Sequence, residues 1–168
     1  MSVVVVDEDR ALEARSLVRL MEGVLAAVEQ TYLTSGVSLP DRRYWTLSVP
    51  AVDCEQLVVT FIQAYIGPPG DEASLPQRCD AVKTAVIQVQ VHRCVPVASA
   101  KGKAPTPTSI VQASEQLAVD AYLLLDSANG LEQWDPLGPG LGVISTVEVT
   151  DPQGGYQGVI LNLTLAIP

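Results

Sequence analysis

Three residues of the chain are of types that metal or nucleophile chemistry could use. The only histidine, His92, lies two positions before Cys94 in the segment VIQVQVHRCVP, residues 86–96, and Cys54 lies further towards the N-terminus. Cysteine and histidine are common zinc ligands, and a cysteine beside a histidine base is a common nucleophile. The alternative is that all three residues belong to the end of a β-hairpin.

The pattern around these residues favours the hairpin. A structural zinc site normally has four ligands, and the segments around these cysteines lack a C-x-x-C knuckle. A zinc deaminase needs H-x-E and P-C-x-x-C, and neither motif is present. A cysteine nucleophile needs a base and an orienting group, and no third residue is evident. We therefore expect strand residues, with no catalytic residue, no metal and no cofactor.

Hydrophobic periodicity predicts two helices that would support such a hairpin. Residues 10–33 carry one apolar stripe at helical spacing, formed by Leu17, Leu20, Met21, Val24, Val28 and Tyr32. Ser109 with Gln112 has the spacing of a capping box and predicts the start of a second helix, while Asn129-Gly130 predicts its end. The stripe of this helix is Ile110, Ala113, Leu117, Ala121, Leu124 and Ala128.

Two long runs rich in β-branched residues, 54–67 and 81–95, predict the hairpin itself. In the second run Ile87, Val89 and Val91 point to one face, and Gln88, Gln90 and His92 point to the other. If Ile66 pairs near Val82, Cys54 lies opposite Cys94, within reach of an occasional disulfide.

Three further strands complete the expected fold. The segment RYWTLSVP precedes the hairpin, and VISTVEVT, the turn DPQGG and YQGVILNLTLAIP form a second hairpin at the C-terminal end of the sequence. The order is therefore α-β-β-β-α-β-β. It predicts a single α+β domain over residues 1–168, with a mixed or mostly antiparallel sheet flanked by two main helices. Residues 1–9 are expected to form an N-terminal arm or edge strand, because Val3–Val6 would make a sticky edge.

Charge and composition exclude several classes of function. A net charge of −9 argues against binding nucleic acid phosphates on an open surface. Charged residues make up only 17% of the chain and hydrophobic residues 48%, which suggests buried intersubunit surface. Three cysteines do not suggest a secreted disulfide framework, and neither a signal peptide nor a membrane span is evident. We expect a soluble protein made in a reducing cytoplasm.

The middle of the chain resembles a known family of virion proteins. The segments PAVDCEQLVVTFIQAYIGPPG, QRCDAVKTAVIQVQVHRCVPV and EQLAVDAYLLLDSANG are similar to the tail terminator (tail-completion) proteins of long-tailed, non-contractile bacteriophages, especially those of actinobacterial hosts. The features that carry the likeness are Asp53-Cys54, Gln56-Leu57, Arg93-Cys94-Val95-Pro96 and Asp120-Ala121, followed by a terminal hairpin. The likeness spans roughly residues 15–168.

The resemblance implies a structural protein rather than an enzyme. In this family a homo-hexameric ring binds the last ring of tail-tube subunits, stops tube polymerisation and meets the head-completion (stopper) protein on its other face. DNA passes through the lumen without specific binding, and no membrane or cofactor is involved. The alternatives are another head-to-tail connector, such as a neck stopper or adaptor, and a small enzyme that uses Cys54, His92 and Cys94.

Six residues are expected to contribute to interfaces of such a ring. Val4 and Val5 would pair with a neighbouring subunit, because an uncovered valine edge attracts another strand. Asp71 and Glu72 lie in the loop of the long hairpin, and Lys101 and Lys103 lie in the connection to the second helix. The alternative for these four residues is that they are solvated loop charges. Loops on a rigid scaffold are where docking residues concentrate.

Overall fold

The computed structural model describes residues 8–70, 83–132 and 144–167. Its elements in chain order are α1 (Glu8–Ser35), β1 (Arg42–Thr46), β2 (Gln56–Ile66), β3 (Lys83–Cys94), α2 (Pro107–Glu132), β4 (Ile144–Val149) and β5 (Tyr156–Ile167). The predicted order α-β-β-β-α-β-β and the α+β class are confirmed.

The five strands form one mixed sheet in the order β1-β2-β3-β5-β4. Strand β1 runs parallel to β2, and all other neighbours are antiparallel. The two predicted hairpins are therefore both present, and their long strands β3 and β5 pair along their whole length at the centre of the sheet.

Both helices pack on the same face of this sheet. Alternate residues of the central strands point towards the helices and are buried, as the period-two pattern predicts. These strand residues are Leu57, Val59, Ala85, Ile87, Val89, Val91, Val159, Leu161, Leu163 and Leu165. The helices bury Leu20, Met21, Val24, Val28, Tyr32, Leu117, Leu123, Leu124, Ala128 and Leu131 against them. Burial of this apolar surface is the main source of stability for such a layered fold.

Helix α1 confirms the predicted stripe and corrects the expected N-terminal arm. Leu17 is partly buried, and the other five predicted residues are fully buried. The helix ends where Gly36 adopts a left-handed φ of 69° and its N–H donates to the carbonyl of Leu33, a common glycine C-cap. The helix begins at Glu8, so Glu8 and Asp9 of the expected arm 1–9 are helical. Residues 1–7, with Val4 and Val5, lie outside the described residues.

Helix α2 has different ends from those predicted. Thr106, not Ser109, is the N-cap, because its Oγ1 accepts the Ser109 N–H at 3.2 Å and Pro107 is the first helical residue. The helix passes the expected stop at Asn129-Gly130 and continues to Glu132, since burial of Leu131 stabilises the extra turn. Ile110, expected in the apolar stripe, is 50% exposed in the first turn.

The register of the β2–β3 hairpin changes along its length. At the far end Ile66 pairs with Lys83, near Val82 as expected, and at the other end Gln56 pairs with His92, in a register that differs by one residue. A bulge between Phe61 and Gln63 produces this one-residue shift. The half of the hairpin between the bulge and the two cysteines keeps the predicted register, in which Cys54 lies opposite Cys94.

Among the described residues, neither α1 nor α2 combines the length and the apolar character that crossing a bilayer requires.

Candidate functional site

A buried ion cluster lies at the corner of the sheet where β2 begins and β3 ends. Arg93 points towards the helices, and only 6% of its surface is exposed. Its Nε and Nη2 donate to the two carboxylate oxygens of Asp120, each at 2.9 Å. Its Nη1 donates to Glu55 Oε2 at 2.9 Å, and Nη2 also donates to the carbonyl of Ser38 at 3.1 Å. The paired contact with Asp120 is the bidentate geometry in which arginine–carboxylate bonds are strongest.

The second half of the cluster joins the two helices. Asp120 is fully buried in the middle of α2, and the hydroxyl of Tyr32 in α1 donates to its Oδ1 at 2.8 Å. Burial and the Asp120 charge raise the pKa of Tyr32 far above its ordinary value, so the phenol stays neutral and keeps its donor. Burial lowers the pKa of Arg93, but its bonds to Asp120 and Glu55 outweigh that effect and raise it, so the guanidinium stays charged.

A disulfide adjoins this cluster. Cys54 and Cys94 are bonded, with their Cα atoms 4.8 Å apart. Glu55 follows Cys54 and Arg93 precedes Cys94, so the covalent bond and the ion pair both connect the segment just before β2 to the end of β3. The predicted proximity of Cys54 and Cys94 is therefore confirmed.

Glu55 has an unusual backbone that directs its side chain into the cluster. Its φ is 56°, in the left-handed region that residues other than glycine rarely adopt. Its Oε1 accepts the Cys94 N–H at 3.3 Å, and its carbonyl accepts the Arg42 N–H at 3.1 Å. Glu55 therefore links β1, the start of β2 and the end of β3.

His92 lies on the other face of the sheet from Arg93. Its Nε2 is 3.1 Å from Gln90 Oε1, and its ring meets the ring of Tyr156 edge-on with centroids 5.7 Å apart. Burial lowers the pKa of His92, which favours the neutral ring. Its Nδ1 is buried and makes no hydrogen bond within the described part of the chain. Gly158 lies directly beneath the ring, where an added Cβ would be 2.7 Å from Nδ1.

The open face of the sheet carries a row of amide side chains that extends from His92. Gln90 Nε2 donates to Gln88 Oε1 at 3.1 Å, and Gln88 Nε2 donates to Asn162 Oδ1 at 2.8 Å. Asn162 Nδ2 is 3.4 Å from Glu148 Oε1. The row crosses from β3 to β5 and β4, and its amide members are half-buried. Such a surface is polar and largely uncharged.

The chemistry that the sequence suggested for Cys54, His92 and Cys94 does not match this geometry. The two sulfurs are bonded to each other, so neither can act as a thiolate while the bond is present. Over residues 8–70, 83–132 and 144–167, no group of three or more His, Cys, Asp or Glu side chains is placed to hold a metal.

Two of the six expected interface residues, Lys101 and Lys103, lie among the described residues. Lys101 and Lys103 are exposed in the connection between β3 and α2, where Ser99 N–H donates to the Lys103 carbonyl at 3.0 Å. Val4, Val5, Asp71 and Glu72 lie outside the described residues.

The ion cluster itself was not predicted, although the sequence contained a signal for it. Asp120 falls among the apolar stripe positions of α2, between Leu117 and Leu124, and Arg93 continues the core-facing series Val89 and Val91. A charged residue at a core position is almost always paired. Opposite charges on two core faces therefore predict a pair.

No family model and no curated protein matches this chain. The functional interpretation therefore depends on the geometry described above and on the resemblance of its segments.

Proposed function

We propose that this chain is a structural protein of a phage virion, a tail terminator. Its copies form a ring that caps the tail tube, stops tube polymerisation and joins the tail to the head connector, and DNA passes through the lumen. On this proposal the chain performs no catalysis and needs no cofactor.

One observation carries this proposal. The three segments that resemble the tail terminator proteins meet at a single corner of the fold. Cys54 is bonded to Cys94, Arg93 is paired with Asp120, and Asp53 is paired with Arg42 at 3.0 Å. The residues behind the likeness therefore hold the two helices and the sheet together, which is the role expected of structural signatures.

The architecture favours the terminator over a neck stopper. A stopper is expected to be a β-barrel with a long inserted loop, whereas this sheet is open, mixed and covered by two helices on one face. In the described residues no strand pairs with the outer edge of β4, with the outer edge of β1, or with the β1-side edge of β2 beyond Thr60. An unpaired edge of this kind can pair with a strand of another chain, and a ring of identical subunits uses such unlike surfaces head to tail.

The charge of the chain suits a channel for DNA. A net charge of −9 repels phosphate, so DNA can move past without being held. The half-buried amides Gln88, Gln90 and Asn162 on the open sheet face add a polar surface without positive charge.

The native mass of the purified protein tests the proposal directly. It should be measured at several concentrations, with and without purified tail-tube protein. We expect a hexamer alone, or a hexamer that forms only on tubes because binding and assembly are coupled. A monomer that does not bind tubes would contradict the terminator function and favour another neck position.

Two sets of variants locate the interfaces. Val4→Lys or Val5→Lys should weaken the ring more than the folding of the monomer if the N-terminal valines pair with a neighbour. Lys101→Glu with Lys103→Glu should leave the fold intact, because both side chains are exposed, and should weaken tube binding if these lysines meet an acidic rim. Unchanged ring mass and tube affinity would show that these residues do not contribute to the interfaces.

A further inference from the structure

The disulfide is accessible from solvent on one side. Cys94 is an exposed residue, while Cys54 is half-buried. Thiol–disulfide exchange requires a small thiol to reach one of the two sulfurs. Cys94 is therefore the more exposed of the two bonded residues and the expected point of attack.

The bond also fixes a backbone that would not otherwise be favoured. Left-handed φ angles are costly for residues with a side chain, and Glu55 has a φ of 56°. Because Cys54 precedes Glu55 and is tied to Cys94, the bond keeps the Glu55 carboxylate within reach of Arg93 Nη1 and of the Cys94 N–H. The bond and the left-handed backbone therefore depend on each other.

The rest of the ion cluster involves neither Cys54 nor Glu55. Arg93 donates two bonds directly to Asp120, and Tyr32 donates to the same carboxylate. Loss of the disulfide would therefore act on Glu55 and its partners, not on the packing of the helices.

We propose that Cys54 and Cys94 form a thiol–disulfide exchange site for low-molecular-weight thiols and disulfides, and that its redox state sets whether Glu55 fastens β1 to the end of β3. Thiols are kept reduced in a reducing cytoplasm and oxidise outside it. The corner is then loose in a reducing compartment and locked in an oxidising one. This proposal is independent of the terminator function.

The exchange balances in atoms and electrons. The thiolate of a small thiol attacks the Sγ of Cys94, forms a mixed disulfide and expels the Sγ of Cys54 as a thiolate. The thiolate of a second small thiol attacks the small-molecule sulfur of the mixed disulfide, expels the Sγ of Cys94 as a thiolate and departs as the oxidised small disulfide. The protein sulfurs gain two electrons and two protons. Oxidation is the reverse reaction, with a small disulfide such as oxidised glutathione as the oxidant.

Residue-resolved hydrogen exchange tests the proposal, since two backbone amides report on Glu55 itself. The Arg42 N–H donates to its carbonyl, and the Cys94 N–H donates to its carboxylate. The Val95 N–H is a matched control, because it adjoins Cys94 but donates to the Gly155 carbonyl at 2.9 Å. The experiment uses the Cys79→Ser variant, so that Cys54 and Cys94 are its only cysteines. The protein is held in buffers with graded ratios of reduced to oxidised glutathione.

We expect the disulfide to form and to be reduced without denaturant, as alkylation mass spectrometry would show. On reduction the Arg42 and Cys94 amides should exchange about tenfold faster or more, while the Val95 amide stays protected. The variant Cys54→Ala/Cys94→Ala should reproduce the reduced pattern in any buffer.

Three results would overturn the proposal. A bond that forms or breaks only in denaturant is not an exchange site. Equal exchange at Arg42 and Cys94 in both states would mean that the bond does not hold Glu55. Faster exchange at Val95 as well would mean that the bond supports the whole fold rather than this corner.

Discussion

Two neighbouring residues of β3, His92 and Arg93, end up in opposite environments. Arg93 points into the helix layer, where it is charged and paired with Asp120 and Glu55. His92 points to the open face, where neutral amides continue from its ring and its Nδ1 has no partner in the described residues. Because strand side chains alternate, one residue step separates the buried Arg93–Asp120 ion pair from a polar, neutral surface.

The comparison shows how each face tolerates polar groups. On the helix side water is excluded, so polar groups must be paired with one another. On the open face, amides such as Gln88 and Gln90 are half-buried and water can replace a lost partner. Equivalent substitutions should therefore cost much more on the helix side than on the open face.

The largest effect is expected from Arg93→Met. It would leave the fully buried Asp120 without its cation, and loss of one partner of a buried pair costs about 3–5 kcal/mol. Urea unfolding would measure the loss. Arg93→Met/Asp120→Leu should recover part of it, because no uncompensated charge remains.

A matched control uses the same substitution at the surface. Arg42 pairs with Asp53 at 3.0 Å, but both side chains are more than half exposed, so Arg42→Met should cost about 1 kcal/mol or less. Equal losses for the two variants would show that the Arg93 cluster is hydrated, and would remove the contrast between the faces.

The second-largest loss of stability is expected from Gly158→Ala, because Gly158 lies directly beneath the ring of His92. In Gly158→Ala the new Cβ would lie 2.7 Å from His92 Nδ1 and 2.9 Å from Cε1. The ring is confined by Tyr156 and Gln90, so overpacking should cost about 1–3 kcal/mol. His92→Ser in the same chain should restore most of the stability, because it removes the clashing ring.

Gly130→Ala is the control for this substitution. An added Cβ there meets nothing within 4 Å, and alanine is the better helix former, so a gain of about 0.5–1 kcal/mol is expected. If Gly158→Ala were as well tolerated as Gly130→Ala, the ring beneath would have to be free to move away.

Much of this arrangement could be predicted from local sequence. Periodicity identified the stripe of α1 and the alternation of β3, and counting along the hairpin placed Cys54 opposite Cys94. The bulge at Ile62 was missed because the run TFIQAY contains no glycine or proline to signal it. The N-cap of α2 was misplaced because Thr106-Pro107 lies just before the competing pair Ser109 and Gln112.

Other features depend on contacts that local patterns do not contain. Tyr32 and Asp120 are 88 positions apart in sequence and meet only because α1 and α2 share one face of the sheet. The left-handed backbone of Glu55 likewise depends on the partners of its side chain, Arg93 and the Cys94 N–H. Tertiary packing decides both, so neither the ion cluster nor the left-handed backbone of Glu55 follows from residue spacing alone.

The third prediction is a pH dependence due to His92. Burial lowers its pKa in the folded state, so the folded state favours the neutral ring. The resulting stability is fully present above the ordinary pKa of about 6.5 and is lost as pH falls from there through the lowered folded pKa. One proton contributes a slope of at most about 1.4 kcal/mol per pH unit.

His92→Gln should remove this slope. The variant is expected to fold and assemble normally, because glutamine continues the amide row of Gln88 and Gln90. Unfolding free energies of both proteins from pH 8 to pH 5 give a difference curve in which the other titrating groups cancel. A flat difference curve would mean that the ring is as hydrated in the folded state as in the unfolded state.

The smallest effect should come from Asn162→Ala in the middle of the amide row. Asn162 accepts from Gln88 at 2.8 Å, but both residues are half-buried, so water can take the vacated positions and the cost should be about 0.5 kcal/mol. Tyr32→Phe also removes one hydrogen bond, but it does so beside the buried Asp120 carboxylate, where about 1.5–3 kcal/mol is expected. Chemical unfolding of both variants at pH 7 measures the ratio. If Asn162→Ala cost as much as Tyr32→Phe, the amide row would be as dry as the ion cluster, and something other than water would have to cover the open face in solution.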